Sequence, residues 1–292
     1  MFKTVKPFIK WAGGKSQLLE EIRKKYPAKI ERYCEPFVGG GAVLLDVLAN
    51  FQPKEVLIND INSELTNTYI QIRDNADVVI ALLSDMKESF WEMDDKERKD
   101  FYYSKRDRFN ELIIHSSATE EKAALFIFLN KTCFNGLYRV NAKGFFNVPM
   151  GSYKKPPICD EDNIRLISKL LNGVTIKCGD YSECADFIDN NTFVYIDPPY
   201  RPLSETSSFT SYAKTEFGDE QQIQLGHFIE QISDKGAKVV ASNSDPKNTD
   251  KEDNFFDELY KLFKIRRVEA TRMINSNSKG RGTINELLIC NF

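Results

Sequence analysis

The residues best suited to chemistry in this chain are Asp197-Pro198-Pro199-Tyr200. An apolar run, Phe193-Val194-Tyr195-Ile196, leads into them and predicts a buried strand that stops at a rigid turn. Neither proline carries a backbone N–H, so the carbonyls of Asp197 and Pro198 stay available at the strand end. A carboxylate, a carbonyl and an aromatic face within one turn suit a planar ligand bearing an amino group, such as an adenine. A proline-stopped strand with no ligand is the alternative these four residues leave open.

A second set lies toward the N-terminus. Phe37-Val38-Gly39-Gly40-Gly41 follows a strand-like segment and opens a helix-like one. Glycines there permit a tight turn and close approach of a ligand, and a helix start adds N–H donors. Asp60 comes nineteen residues after Gly41, at the end of the next strand, where an acid can hold the ribose hydroxyls of an adenosine-containing cofactor. Leu44 stands where GxGxxG requires its last glycine, which favours a nucleoside cofactor over a dinucleotide. A bare glycine turn remains the other reading of the loop. Trp11-Ala12-Gly13-Gly14-Lys15-Ser16 ends like a P-loop, but the glycine needed five residues before Gly14 is Ile9. Trp11 is instead suited to stack on a ring and Lys15 to neutralise a carboxylate. Residues 6–10 read as a weak strand, and Ser16 as the cap of a helix over 17–26.

The elements that must position these groups alternate. Strand signals at residues 33–37, 55–60, 174–178, 193–196, 239–242 and 287–290, with helical stretches at 42–51 and 63–73, predict an α/β chain with a mostly parallel, doubly wound sheet. Between the halves the pattern changes to helices over 96–112 and 120–130, then a Gly- and Asn-rich basic stretch. That middle reads as an inserted domain. Residues 203–215 and 275–283 read as mobile loops.

At 292 residues the chain can hold one large α/β domain with an insertion. Net charge is −3, yet residues 122–159 hold six basic residues and no acid, and residues 261–281 hold seven against Glu269 alone. Two such segments on an otherwise acidic chain predict a footprint for phosphate. The six cysteines are scattered without a CxxC pair, and His115 and His227 lie outside any motif, so neither a zinc site nor a histidine base is expected. No apolar run is long enough to span a membrane and no signal segment is evident, so a cytoplasmic location is expected.

Together these motifs resemble an adenine-N6 DNA methyltransferase of the Dam family, in the class whose cofactor loop precedes the recognition region and the catalytic motif. The matching residues are Lys10-Trp11-Ala12-Gly13-Gly14-Lys15, Glu35-Pro36-Phe37-Val38-Gly39-Gly40-Gly41, Asp60, and Asn135-Gly136-Leu137-Tyr138-Arg139. They continue with Gly144-Phe145-Phe146-Asn147-Val148-Pro149, Asp180-Tyr181 and Asp197-Pro198-Pro199-Tyr200, in the family's order and across most of the chain. The resemblance implies a seven-stranded, mostly parallel Rossmann-like methyltransferase sheet with an inserted, mainly helical DNA-recognition domain bearing a β-hairpin. Residues 1–73 and 158–292 would form the catalytic domain and 74–157 the recognition domain.

It implies S-adenosylmethionine as methyl donor, bound by Trp11, Lys15, Phe37, Gly39, Gly41, Asp60, Asp180 and Asp197. Asp197, Pro198 and Tyr200 would act on the flipped adenine. Asn135, Tyr138 and Arg139 would read base edges, and Lys143, Lys154 and Lys155 would hold the phosphate backbone. No metal is implied. The implied partner is double-stranded DNA with the target GATC, single strands being a further option. A cognate restriction endonuclease acting on the same site fits a bacterial or phage source. The competing readings are an RNA adenine methyltransferase, a non-catalytic nucleic-acid-binding module, and a P-loop ATPase.

Overall fold

The computed structural model describes residues 5–201, 217–271 and 283–292. Its strands are β1 (Arg32–Glu35), β2 (Glu55–Asp60), β3 (Thr175–Cys178), β4 (Thr192–Ile196), β5 (Lys238–Ser244), β6 (Lys264–Thr271) and β7 (Thr283–Cys290). They form one seven-stranded sheet in the order β3-β2-β1-β4-β5-β7-β6. The first five are parallel, and β7 runs antiparallel between β5 and β6. This is the α/β architecture that the alternating strand and helix signals predict.

Successive side chains of a strand point to opposite faces, and a parallel sheet must be covered on both. Tyr33, Phe193 and Tyr195 therefore enter one apolar cluster, while Cys34, Val194 and Ile196 enter another. The helices covering the sheet include α1 (Leu19–Arg23), α2 (Ala42–Phe51) and α3 (Ser63–Asp74). The chain continues through α4 (Ala76–Glu92), α5 (Asp95–Ile114), α6 (Glu120–Thr132) and α7 (Glu161–Leu170) to α8 (Asp219–Asp234) and α9 (Phe255–Leu259). Sheet order reverses between β1 and β4, so the C-terminal ends of these two strands flank a crevice, the usual ligand position in such sheets.

The helical insertion follows α3. An Asp94 capping box starts α5, and α6 is apolar almost all round because α3, α4 and α5 surround it. These helices share one apolar cluster with the sheet face carrying Tyr33 and Phe193, so the core is continuous across residue 74. Beyond α6 a short antiparallel hairpin pairs Val140 with Phe146. Its turn is built by the Asn141 side chain, which accepts from the N–H groups of Lys143 (2.9 Å) and Phe145 (3.1 Å), with Gly144 at φ +82°.

Several local expectations are corrected. Residues 6–10 form no strand, although Phe8 and Ile9 are buried. Ser16 caps nothing: a 3₁₀ turn, Lys15–Gln17, precedes a helix that ends at Arg23. The helices α4, α7, α8 and α9 and the strand β6 carry no motif, and the sequence patterns above do not predict them. The loops expected over 203–215 and 275–283 lie outside the described residues, except Thr283, which opens β7.

Candidate active site

β4 delivers Asp197 to the crevice with its side chain 19 % exposed. Its Oδ1 receives two donors, the Lys15 ammonium at 2.8 Å and the Ser242 hydroxyl at 3.0 Å. Ser242, on β5, is in turn 3.0 Å from the hydroxyl of Tyr195. No hydrogen bond from a described residue reaches Oδ2 or the carbonyl of Pro198. The next carbonyl, Pro199, accepts from the Gln222 amide at 3.0 Å, which fixes the turn against α8. Burial raises the Asp197 carboxyl above its ordinary range, with Lys15 and Ser242 opposing the shift.

Tyr200 completes this group. Its hydroxyl donates to Glu286 Oε2 at 2.5 Å, and Lys15 Nζ lies 4.7 Å from its ring centroid. Lys15, itself buried, is thereby bracketed by Asp197 and by Glu286 at 4.0 Å. The sequence suggested Lys15 for a cofactor carboxylate; the fold seats it on the carboxylate of the Asp-Pro-Pro-Tyr turn.

The glycine turn lies across the crevice. Gly39 N–H donates to Asp60 Oδ2 at 3.0 Å, and Asn62 N–H donates to Oδ1 at 2.9 Å. Desolvation raises the Asp60 carboxyl, and these N–H bonds counter it. Gly41, at φ +70°, has no room for a side chain: a Cβ would come 2.3 Å from the Tyr69 hydroxyl. That hydroxyl donates to the Gly39 carbonyl at 3.0 Å. The Asn59 amide bridges the carbonyls of Pro36 and Gly179, tying the ends of β1, β2 and β3 together.

Phe37 stacks on Tyr181 with centroids 5.2 Å apart. Beside it the exposed Asp180 carboxylate caps the turn Tyr181–Cys184 through Ser182. Trp11 lies against Gly39 and Gly40 and stacks on Tyr138 at 5.7 Å, so it walls the glycine turn off from the hairpin.

Among the residues assigned to DNA, Asn135, Arg139, Lys143, Lys154 and Lys155 are exposed on the insertion. Arg139 Nε donates across the hairpin to the Asn147 side chain at 2.8 Å. Tyr138 departs from expectation: it is 9 % exposed, packed among Trp11, Phe126 and Phe146, and so braces the hairpin from inside. The basic footprint is also smaller than the sequence suggested. Lys122 is buried against Glu64 at 2.7 Å, and burial lowers Lys131 to about 8. In the second segment Arg266 pairs with Glu21 and Arg267 with Asp245 and Asp257, on β6 at the far edge of the sheet. Arg272, Lys279 and Arg281 lie outside the described residues.

Sequence reasoning missed Glu286, Ser242, Ile61 and Phe134. Ile61, directly after Asp60, is 62 % exposed, and Phe134, beside Asn135, is 52 % exposed. A large apolar residue next to a motif position was the available signal for these two. For Glu286 and Ser242 no local signal exists, because each reaches the site only through sheet order.

A family model described as D12 class N6 adenine-specific DNA methyltransferase matches residues 11–274. The chain is 48 % identical to the type II methyltransferase M.MjaIII of Methanocaldococcus jannaschii, over 99 % of each protein. It is 40 % identical to the type II methyltransferase M1.LlaDCHI of Lactococcus lactis subsp. cremoris, over 99 % of this chain and 96 % of that one. With the DNA adenine methylase of Escherichia coli it shares 35 % identity over 98 % of this chain and 95 % of the relative.

Proposed function

The chain belongs to the D12 class N6 adenine-specific DNA methyltransferase family, and from that membership we propose that it methylates adenine in GATC, with the flipped base held by Asp197, Pro198 and Tyr200. The observation that carries this reading is the pair of acceptors left at the end of β4. Asp197 Oδ1 is occupied by Lys15 and Ser242, while Oδ2 and the Pro198 carbonyl receive nothing from the described residues. Two such acceptors match the two N–H bonds of an adenine amino group.

The family implies S-adenosylmethionine, whose sulfonium supplies an already activated methyl group. The residues on the other side of the crevice fit it. The Asp60 oxygens accept from backbone N–H groups of Gly39 and Asn62, and a carboxylate's four lone-pair sites leave acceptor capacity for ribose hydroxyls. Phe37, Gly39 and Gly41 would line the methionine portion, and Ile61 and Asp180 would flank the adenine ring.

Adenine N6 is a poor nucleophile because its lone pair is delocalised into the ring. Hydrogen bonds from its amino group to Asp197 Oδ2 and the Pro198 carbonyl favour a pyramidal nitrogen and fix the lone-pair direction. Tyr200 stacks on the base once it has left the duplex. Lys15 and Ser242, by filling Oδ1, hold the carboxylate in one orientation, so alignment rather than covalent catalysis supplies the acceleration. Outside the crevice, Arg139 and Asn135 read base edges, Phe134 supplies an exposed ring for stacking, and Lys143, Lys154 and Lys155 contact phosphates. Trp11 and Tyr138 support both sites from between them. We further take a cognate endonuclease at the same sequence as the partner, a role in keeping with relatives named type II methyltransferases.

The test is transfer of labelled methyl groups to duplexes with and without GATC. Asp197→Ala is expected to lower the rate by about 100-fold or more, the scale for losing a preorganised charged group. Equal labelling of duplexes lacking GATC overturns the site assignment. Labelling of no DNA overturns the enzymatic reading for this chain. Digestion of the expressing cell's DNA with GATC endonucleases that differ in sensitivity to adenine methylation gives an independent readout.

A further inference from the structure

Tyr200 stands on an irregular turn, whereas a stacking ring must hold one orientation. Its hydroxyl donates to Glu286 Oε2 at 2.5 Å. Glu286 lies on β7, with Ser244 of β5 opposite it on one side and Val268 of β6 on the other. Its backbone is therefore held by two strands, and its side chain is 15 % exposed. Lys15 adds a cation over one face of the same ring and stands 4.0 Å from Glu286. The ring is thus held at its hydroxyl and contacted by a cation on one face.

We propose that Glu286 is a positioning residue for methyl transfer, acting through the Tyr200 hydroxyl to hold the ring against which the flipped adenine stacks. The proposal rests on the assignment of Tyr200 as the stacking residue. Glu286 touches neither base nor cofactor in this role. Its effect on the ring passes through one hydrogen bond, and the amide of glutamine, which can still accept from the hydroxyl, keeps that contact.

A double-mutant cycle tests this. Glu286→Ala and Tyr200→Phe, separately and combined, are compared for kcat, for cofactor dissociation constant by calorimetry, and for fluorescence of 2-aminopurine placed at the target adenine. Each single change is expected to lower kcat about tenfold, the effect of roughly one net hydrogen bond. Each should also raise the 2-aminopurine signal through looser stacking and leave cofactor affinity within twofold. The double variant should be no worse than the worse single one, and Glu286→Gln should recover most of the loss seen with alanine.

Additive losses overturn the proposal, as does a glutamine variant no better than alanine or an effect confined to cofactor affinity. Tyr200→Phe removes only an oxygen, so the test survives even if Glu286→Ala fails to fold. Should the parent methylate no DNA, the stacking assignment falls and this proposal with it. An active parent with an additive cycle overturns this proposal alone.

Discussion

Four carboxylates, Glu35, Asp60, Asp197 and Glu286, lie at or near the strand ends, and the buried ammonium of Lys15 pairs with two of them, Asp197 and Glu286. Glu35 has the most apolar setting: it is 2 % exposed, accepts from the Tyr33 hydroxyl at 2.6 Å, and has Asp197 as a nearby like charge. Burial, reinforced by Asp197, raises its carboxyl well above the usual range, so the folded protein retains a proton there. The unfolded chain releases that proton near the ordinary glutamate value of about 4.3. Stability is therefore complete below that pH and falls as pH rises toward the folded value, by about 1.4 kcal/mol per pH unit. Glu35→Gln has no proton to lose. Its melting temperature relative to the parent should be least favourable near pH 4 and improve steadily toward neutral pH. A difference that is constant across a pH series of thermal melts would contradict this.

At the level of elements, α6 joins the two halves of the proposed site. Asn130, 3 % exposed on α6, pairs with Lys10 in both directions: Lys10 N–H donates to its Oδ1 and its Nδ2 donates to the Lys10 carbonyl, each at 2.8 Å. The same Nδ2 donates to the Gly136 carbonyl at 2.9 Å. One amide thus fastens the segment carrying Trp11 and Lys15 to the turn carrying Phe134 and Asn135. Asn130→Ala leaves three backbone groups without their partner, and a loss of about 2–3 kcal/mol is expected. Both cofactor and duplex affinity should weaken in titrations of the pure protein, since the two binding segments lose their common anchor. Weakening of one alone would show that the segments are held independently.

Over the whole molecule, net charge says little about the partner and placement says more. The chain carries −3, but Arg139, Lys143, Lys154 and Lys155 are each exposed on the insertion, while Lys122, Arg266 and Arg267 are matched by acids. A phosphate contact releases counterions and a base contact does not. Combined Lys143→Ala, Lys154→Ala and Lys155→Ala should weaken binding to all duplexes alike and reduce the slope of log K against log salt by up to about 0.9 per lysine. Arg139→Ala should instead narrow the gap between GATC and a one-base variant, by roughly 1–3 kcal/mol. Competition binding at several salt concentrations separates these effects. An unchanged preference after Arg139→Ala would remove it from base reading.

The sequence by itself determined the strand, the turn and the acid or glycine within each motif, because each is a contiguous pattern: an apolar run stopped by Pro198, a turn needing Gly39 and Gly41, Asp60 closing β2. Alternation of strands and helices likewise sufficed for a parallel, doubly wound sheet. Charge was less legible. Lys122 and Arg267 count as basic residues in any sequence window, and only packing against Glu64 and Asp245 cancels them. Tyr138 looked like a reading residue within its motif, and only the cluster around Trp11 turned it inward. Tertiary structure alone brought Ser242 and Glu286 to Asp197 and Tyr200. Those contacts span 45 and 86 positions and depend on β5 lying beside β4 and on β7 entering the sheet antiparallel next to β5. Local patterns encode period and turn chemistry, whereas the neighbours of a strand end follow from sheet order, which no short stretch of residues carries.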